Sequence, residues 1–208
     1  MKTTAQPRFL YFDLGNVLVH FDHQLACRQV AEVAGVELDR VRRVLLDKRA
    51  LGRYERGQVT TAEAHEMVCR RLGVHVEPER FWEAASRIFW LNMRLMPLVA
   101  QLRSAGYRLG ILSNTSEAHW RYLRRYRMLW SCFSLHVLSF EEHAMKPEGT
   151  IYEAAARRCG VPAEEVFFVD DRPENVVGAL EAGFDAVPYH SVSQLVAALR
   201  QRGLRFNY

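Results

Sequence analysis

The chain has 208 residues, enough for one domain with a substantial core or one domain carrying a modest insertion. Apolar residues make up 49% and charged residues 25%, a balance that argues against disorder, and no apolar run reaches the length of a membrane span. The net charge of +4 rests almost wholly on arginine, since Lys2, Lys48 and Lys146 are the only lysines. Such a balance suits phosphorylated or other acidic ligands and makes no case for nucleic acid or membrane. Four widely spaced cysteines, Cys27, Cys69, Cys132 and Cys159, form no C-x-x-C pair. They read as reduced thiols of a cytoplasmic protein, not as a disulfide framework or zinc site. The N-terminus is polar up to Arg8 and the apolar run after it contains Asp13, so no signal peptide is expected.

In chain order, residues 9–12 (Phe-Leu-Tyr-Phe) do not alternate and run into turn residues, the pattern of a strand buried on both faces. That strand presents Asp13 at one sheet edge, with a Leu14-Gly15-Asn16 turn behind it. From His20 to Trp90 no strand is expected. Leu25, Val30 and Val33 begin a helix that stops at Gly35, and Asp39 is the expected N-cap of a second helix carrying Val41, Val44 and Leu45. Thr60-Thr61-Ala62-Glu63 has capping-box spacing and opens a third, which ends near Gly73. Pro78 suits the first turn of a fourth, carrying Phe81, Trp82, Ile88 and Phe89. These four helices, residues 20–91, read as a cap inserted into an α/β core of residues 1–19 and 92–208.

From Pro97 onward helix and strand alternate. A helix over 97–105 stops at Gly106, and residues 107–112 form a strand ending in Ser113-Asn114-Thr115. After another helix, residues 135–138 are a shorter strand. Residues 148–159 are helical, 166–169 are a buried strand ending in Asp170-Asp171, and helix, strand (186–189) and helix complete the chain. Strands alternating with helices predict a parallel sheet covered on both faces, with ligands bound beyond the carboxyl ends of the strands.

Asp13, Ser113 and Asp170-Asp171 all follow apolar strands, so three strands deliver polar groups to one edge. Converging carboxylates repel one another unless a cation lies between them, and an oxygen-only donor set suits Mg²⁺. Ser113 and Asn114 offer donors to a phosphoryl group. Lys146, followed by Pro147 in a loop before a helix, offers a fixed charge to phosphate oxygens or to an attacking carboxylate. A carboxylate nucleophile, a hard cation and a lysine are the parts that phosphoryl transfer through an aspartyl-phosphate needs.

With these residues in this order the chain resembles the haloacid dehalogenase-like (HAD) hydrolases. Asp13 matches the nucleophile of motif I, Ser113 in Leu112-Ser113-Asn114-Thr115 matches motif II, Lys146-Pro147 matches motif III, and Asp170-Asp171 with Asn175 matches motif IV. The resemblance implies a Rossmann-like core with a small helical cap after the first motif. It also implies Mg²⁺ held by Asp13, the carbonyl of Gly15 and the Asp170-Asp171 pair, with Asp171 the direct ligand and Asp170 water-bridged or facing the lysine. Asn16 joins the phosphate-binding set by the same resemblance, and Asn175 orients motif IV.

Motif I departs from the phosphatase form D-x-D, whose second Asp protonates the leaving oxygen and then helps activate water. Gly15 stands there, and the loss of general acid–base catalysis is typically worth about 10²–10⁴-fold. One consequence is a substrate whose leaving group needs less help, such as a sugar 1-phosphate or acyl phosphate. The Asp-Leu-Gly-Asn-Val form resembles the bacterial α-D-glucose-1-phosphate phosphatase branch of the family. A second is a 2-haloacid dehalogenase, which also lacks that Asp. Tyr152 matches a tyrosine of that group, but dehalogenases carry neutral residues at Asp170-Asp171. A third is a weakly active phosphate-binding or regulatory module. A mutase is disfavoured, because returning phosphate to substrate needs the missing acid.

His20, His23, His119 and His143 lie near the motifs and are candidate replacements for it. Tyr54-Glu55-Arg56-Gly57 is expected between the second and third cap helices, as a turn that could face the active site. Arg121, Arg124 and Arg125 share a helix face beside Trp120, Tyr122, Tyr126 and Arg127, and read as a solvated stripe over an apolar side. Phe81, Trp82, Phe89 and Trp90 read as cap core. The expectation is a cytoplasmic, Mg²⁺-dependent phosphatase of small phosphorylated metabolites, sugar phosphates such as glucose 1-phosphate foremost, acting as a monomer or homodimer.

Overall fold

The computed structural model describes residues 6–208, apart from the side chain of Met128. Seven strands lie among them: β1 (Phe9–Phe12), β2 (Val19–Phe21), β3 (Phe89–Leu91), β4 (Arg108–Ser113), β5 (Leu135–Leu138), β6 (Val166–Asp170) and β7 (Asp185–Pro188). Five form one sheet in the order β5-β4-β1-β6-β7, parallel throughout. β1 is central, with Phe12 level with Ile111 on one side and Val169 on the other. This register brings the residues after Phe12, Leu112 and Val169 to one edge.

Side chains on a strand alternate between faces, and both faces here are dry. Leu10, Phe12, Leu109, Ile111, Phe167 and Val169 join one cluster with helices α6 (Met96–Ser104), α7 (Glu117–Leu123) and α12 (Val192–Gln201). Phe9, Tyr11, Val166 and Phe168 meet α10 (Gly149–Cys159) and α11 (Pro173–Glu181) on the other, and two short helices, α8 (Arg127–Trp130) and α9 (Ser139–Glu142), flank β5 in the chain. Each fully buried phenylalanine or leucine here is worth roughly 1.5–3 kcal/mol, so the strand ends rest on a fully buried core. Among the described residues no helix is long and apolar enough to cross a membrane.

Between β2 and β3 run five helices, not the expected four: α1 (His23–Ala34), α2 (Leu38–Leu45), α3 (Lys48–Glu55), α4 (Thr61–Leu72) and α5 (Pro78–Ser86). Four of them, α1, α2, α4 and α5, share a hydrophobic cluster of their own around Cys27, Val30, Val41, Leu72 and Phe81, while α3 packs through Tyr54 in a smaller cluster with Val59, Ala64 and Ala118. α3 went unexpected because Gly52 and four charged residues hide its pattern; Asp47 starts it by accepting from the Arg49 N–H at 3.0 Å. α2 begins one residue before Asp39, whose carboxylate pairs with Arg42 at 2.9 Å instead of capping. The Thr60–Glu63 capping box is present, and Pro78 opens α5. α5 stops at Ser86, so Phe89 lies outside it.

The second correction is a two-stranded antiparallel ribbon, β2 with β3, where no strand was expected. It pairs Val19 with Leu91 and Phe21 with Phe89 at the two places where the chain enters and leaves the helical insert. Three residues per strand give no readable period, and each is stabilised by a partner far along the chain.

Candidate active site

Asp13 follows β1 directly, and its N–H donates to the carbonyl of Val169 at 2.9 Å, so it continues the ladder. Ser113 ends β4, and Asp170 ends β6. Lys146 reaches this edge from the loop before α10. Its ammonium lies 2.7 Å from Asp13 Oδ1 and 2.5 Å from Asp170 Oδ2, and donates to the Leu112 carbonyl at 2.9 Å. Lysine and both carboxylates are buried, with exposures of 4%, 7% and 0%.

The lysine is held in turn by Asn114. The Asn114 Oδ1 accepts from the Lys146 N–H at 2.8 Å, and its Nδ2 donates to the Lys146 carbonyl at 2.9 Å. Both ends of that amide, which the sequence offered to a phosphoryl group, thus clamp the lysine backbone. Asp170 is also fixed by Asn175, whose Nδ2 donates to both its oxygens at 3.0 and 3.1 Å, and by the Arg172 N–H at 2.8 Å. Asn175 is anchored by the Tyr152 hydroxyl, which donates to its carbonyl at 2.7 Å. Asp171 is half-buried and accepts from Asn16 Nδ2 at 3.0 Å; Asn16 has φ 55°, a left-handed conformation that asparagine tolerates. The Ser113 hydroxyl makes only a long 3.4 Å bond to the Asn114 carbonyl.

Burial pushes the Asp13 carboxyl up to about 7; Lys146 opposes this and Asp170 adds to it. Burial works against the Lys146 ammonium, but the two carboxylates outweigh it and hold its pKa above the ordinary value. Asp13, Asp170 and Asp171 each offer a carboxylate oxygen within 4.8 Å of the others, a hard, all-oxygen donor set that fits a divalent cation such as Mg²⁺. The structure thus brings the motif residues together and leaves Asp171 the carboxylate with fewest ties.

A cavity of about 70 Å³ opens beside Leu14, Gly15 and Ser113. Phe21, His23, Glu55 and Phe89 enter it from the ribbon and the insert, and His119 from α7. Burial raises the Glu55 carboxyl to about 7, with Arg172 opposing. It lowers His119 to about 4, helped by His23, and lowers His23 as well.

The sequence profile of the haloacid dehalogenase-like hydrolases matches residues 10–183. The chain is a haloacid dehalogenase-like hydrolase. This HAD hydrolase is similar to an (S)-2-haloacid dehalogenase of Pseudomonas putida, 28% identical over 186 residues, which cover 84% of this chain and 81% of that one. It is also similar to a sesquiterpene phosphatase of Aspergillus oryzae, 22% identical over 198 residues, 93% of this chain and 94% of that one. Among solved structures, a HAD family enzyme of Bacteroides thetaiotaomicron is 25% identical with a TM-score of 0.79, covering 91% of this chain and 98% of its own. The same enzyme in complex with magnesium and inorganic phosphate has a TM-score of 0.78 at 24% identity.

Of the candidate histidines in this HAD hydrolase, His23 and His119 line the cavity. His20 stacks against Trp90 on the ribbon, with ring centroids 6.1 Å apart, and His143 bonds the Arg56 carbonyl at 3.3 Å. The Tyr54-Glu55-Arg56-Gly57 stretch closes α3 instead of linking two helices without structure of its own. Within it Tyr54 is structural, accepting from the Ala118 N–H at 3.1 Å, and Glu55 reaches the cavity. Sequence reasoning marked the stretch but did not single out Glu55. Phe81 is core and Phe89 lines the cavity, while Trp90 is exposed. Arg121 and Arg125 form surface ion pairs with Glu117 and Glu83 near buried Trp120 and Leu123, but α7 ends at Leu123, so Arg124 and Arg125 lie beyond the helix whose face they were expected to share.

Proposed function

We propose that this HAD hydrolase is a Mg²⁺-dependent phosphatase of small phosphorylated metabolites that works through an aspartyl-phosphate on Asp13. The observation that carries the reading is the lysine clamped between two buried strand-end carboxylates with a third carboxylate close by. Asp13 attacks phosphorus. Lys146 and Ser113 bind phosphoryl oxygens, Asn114 holds Lys146 in place, and Asn16 sets Asp171. Asp13, Asp171, the Gly15 carbonyl and Asp170 would hold Mg²⁺, which when bound offsets phosphoryl negative charge. Asp170 takes the lysine-facing role and Asp171 the direct one; Asn175 orients the pair. The solved HAD enzyme with magnesium and inorganic phosphate supports the choice of both ligands.

Sugar phosphates such as glucose 1-phosphate are the first substrates to test, given the form of motif I. The division into a core (1–19 and 92–208) and a helical cap (20–91) is supported by the insert's separate hydrophobic cluster. Four free thiols support a cytoplasmic location, and we take the working form to be a monomer or homodimer.

The Pseudomonas putida relative favours a second reading, a 2-haloacid dehalogenase. Halide leaves without a proton and without help from a cation, so Asp13 would still attack but Asp170 and Asp171 would have no cation to hold in that reaction. A panel of phosphorylated metabolites, assayed with Mg²⁺ and with chelator, separates the two. Phosphate release that chelator stops and Asp13→Asn abolishes is the expected result. No release from wild type, or equal release from Asp13→Asn, overturns the reading; chloride release from 2-chloroacids in chelator supports the alternative.

A further inference from the structure

A Cβ placed on Gly15 would meet Phe21 Cε1 at 2.9 Å. The backbone at Gly15 is not left-handed, so the phenyl ring, and not the main chain, keeps a side chain out of this position. The cavity nonetheless contains a carboxyl. Glu55 lines it from the last turn of α3, and no hydrogen bond or ion pair ties its carboxyl among the described residues.

The backbone beneath that carboxyl is firmly held. Ser139 Oγ donates to the Glu55 carbonyl at 2.6 Å and accepts from the Thr115 N–H at 3.0 Å, tying α3 to the loop after β4. Arg56 grips both oxygens of Glu148 at 2.6 and 2.7 Å, two residues from Lys146. Gly57, at φ 67°, packs so closely that a Cβ would come within 2.2 Å of the Phe140 carbonyl oxygen. A fixed backbone with a carboxyl free of hydrogen bonds, in a cavity with room for roughly two waters, suits a group that touches whatever occupies the cavity.

We propose that Glu55 is the general acid and base of this hydrolase, a catalytic residue supplied by the helical insert in place of the acid that Gly15 cannot carry. The inference rests on the phosphatase reading. In the first step an Asp13 oxygen bonds to phosphorus, the bond from phosphorus to the leaving oxygen breaks, and that oxygen takes the Glu55 proton to leave as an alcohol. In the second, water attacks the phosphorus of the aspartyl-phosphate and gives its proton to the Glu55 carboxylate. The bond to Asp13 breaks, releasing phosphate and restoring both side chains.

The other titratable groups facing the cavity are His23 and His119, with Arg172 the charged neighbour acting on Glu55. His119, near 4, carries almost no proton at neutral pH, whereas a carboxyl near 7 is about half protonated there and can both give and take one. With such an acid in place, ordinary alkyl phosphates join sugar 1-phosphates as substrates.

The test compares full-length wild type and Glu55→Gln in Mg²⁺, on p-nitrophenyl phosphate and on whichever alkyl phosphate wild type turns over fastest. On the alkyl ester, kcat of the variant should fall by about 10²–10⁴-fold with KM within a few-fold. Wild type should show a decline in kcat/KM above pH 7, and the variant should lack it. p-Nitrophenolate needs no proton to leave, so the variant should release one equivalent in a burst at the wild-type rate and then stall. Alkyl-phosphate turnover within threefold of wild type, an unchanged pH profile, or equal loss of the burst overturns the assignment. Wild type silent on every phosphate ester overturns the phosphatase reading beneath it, a result distinct from all of these.

Discussion

Asp13 and Glu55 are both carboxyls whose pKa burial raises, and they come from two parts of the molecule: Glu55 lines the cavity beside Gly15, two residues from Asp13. Asp13 stands at the end of a central strand, 2.7 Å from a buried lysine that also holds Asp170. Glu55 stands at the end of an inserted helix with a secured backbone and, among the described residues, no hydrogen bond or ion pair to its carboxyl. A charged partner suits a group that must stay ionised and aimed, whereas a carboxyl without one suits a proton carrier. The core thus fixes charge, and the insert brings the proton.

The largest expected effect breaks the core side of this contrast. Asp13→Asn should lower phosphate release by at least about 10⁴-fold, measured at saturating substrate, because no other group at the edge can take its place. Lys146→Ala should follow, leaving two buried carboxylates facing each other. Loss of one partner of a buried pair typically costs about 3–5 kcal/mol, to be read from urea unfolding in chelator. A loss under 1 kcal/mol would show that the clamp does not hold the edge together.

The insert side should respond in the opposite direction. A carboxyl that titrates near 7 when folded and near its ordinary 4.5 when unfolded keeps its proton in the folded state after the unfolded chain has released its own. Stability therefore falls as pH rises from 4.5 to 7, and the penalty is complete above 7. Glutamine carries no such cost. Glu55→Gln should be more stable than wild type at pH 8, by on the order of 1–3 kcal/mol, and no more stable at pH 4. Matched urea unfolding curves at the two pH values check it, and equal stability at pH 8 would mean that Glu55 titrates as an ordinary surface acid.

A smaller effect would move the acid from insert to core. Adding Phe21→Ala and Gly15→Asp to Glu55→Gln should raise alkyl-phosphate turnover about tenfold or more over Glu55→Gln alone, since the ring that excludes a side chain is gone. Gly15→Asp without the Phe21 change should give no such gain.

What the sequence revealed follows the same division. β1 and β6 are unbroken apolar runs, so their ends, and with them Asp13, Asp170 and Asp171, are legible in the sequence alone. Lys146 was legible from its motif. Asn114 was read as a phosphate donor, because nothing local shows that both its amide atoms would close on the Lys146 backbone 32 residues away. The β2–β3 ribbon joins segments about 70 residues apart, with three residues each. In the sequence Glu55 is one charge among several in an arginine-rich turn. Its environment exists only once α3 docks on Ser139 and Glu148, a tertiary event with no periodic signature.

The central claim is tested most directly by quenching wild type in acid during turnover of a phosphate ester with Mg²⁺ and mapping the phosphorylated peptide by mass spectrometry. The account predicts a phosphoryl group on Asp13, absent in chelator and more abundant in Glu55→Gln with p-nitrophenyl phosphate. Turnover with no phosphoryl group on Asp13 under any of these conditions, or with the group on another residue, would contradict it.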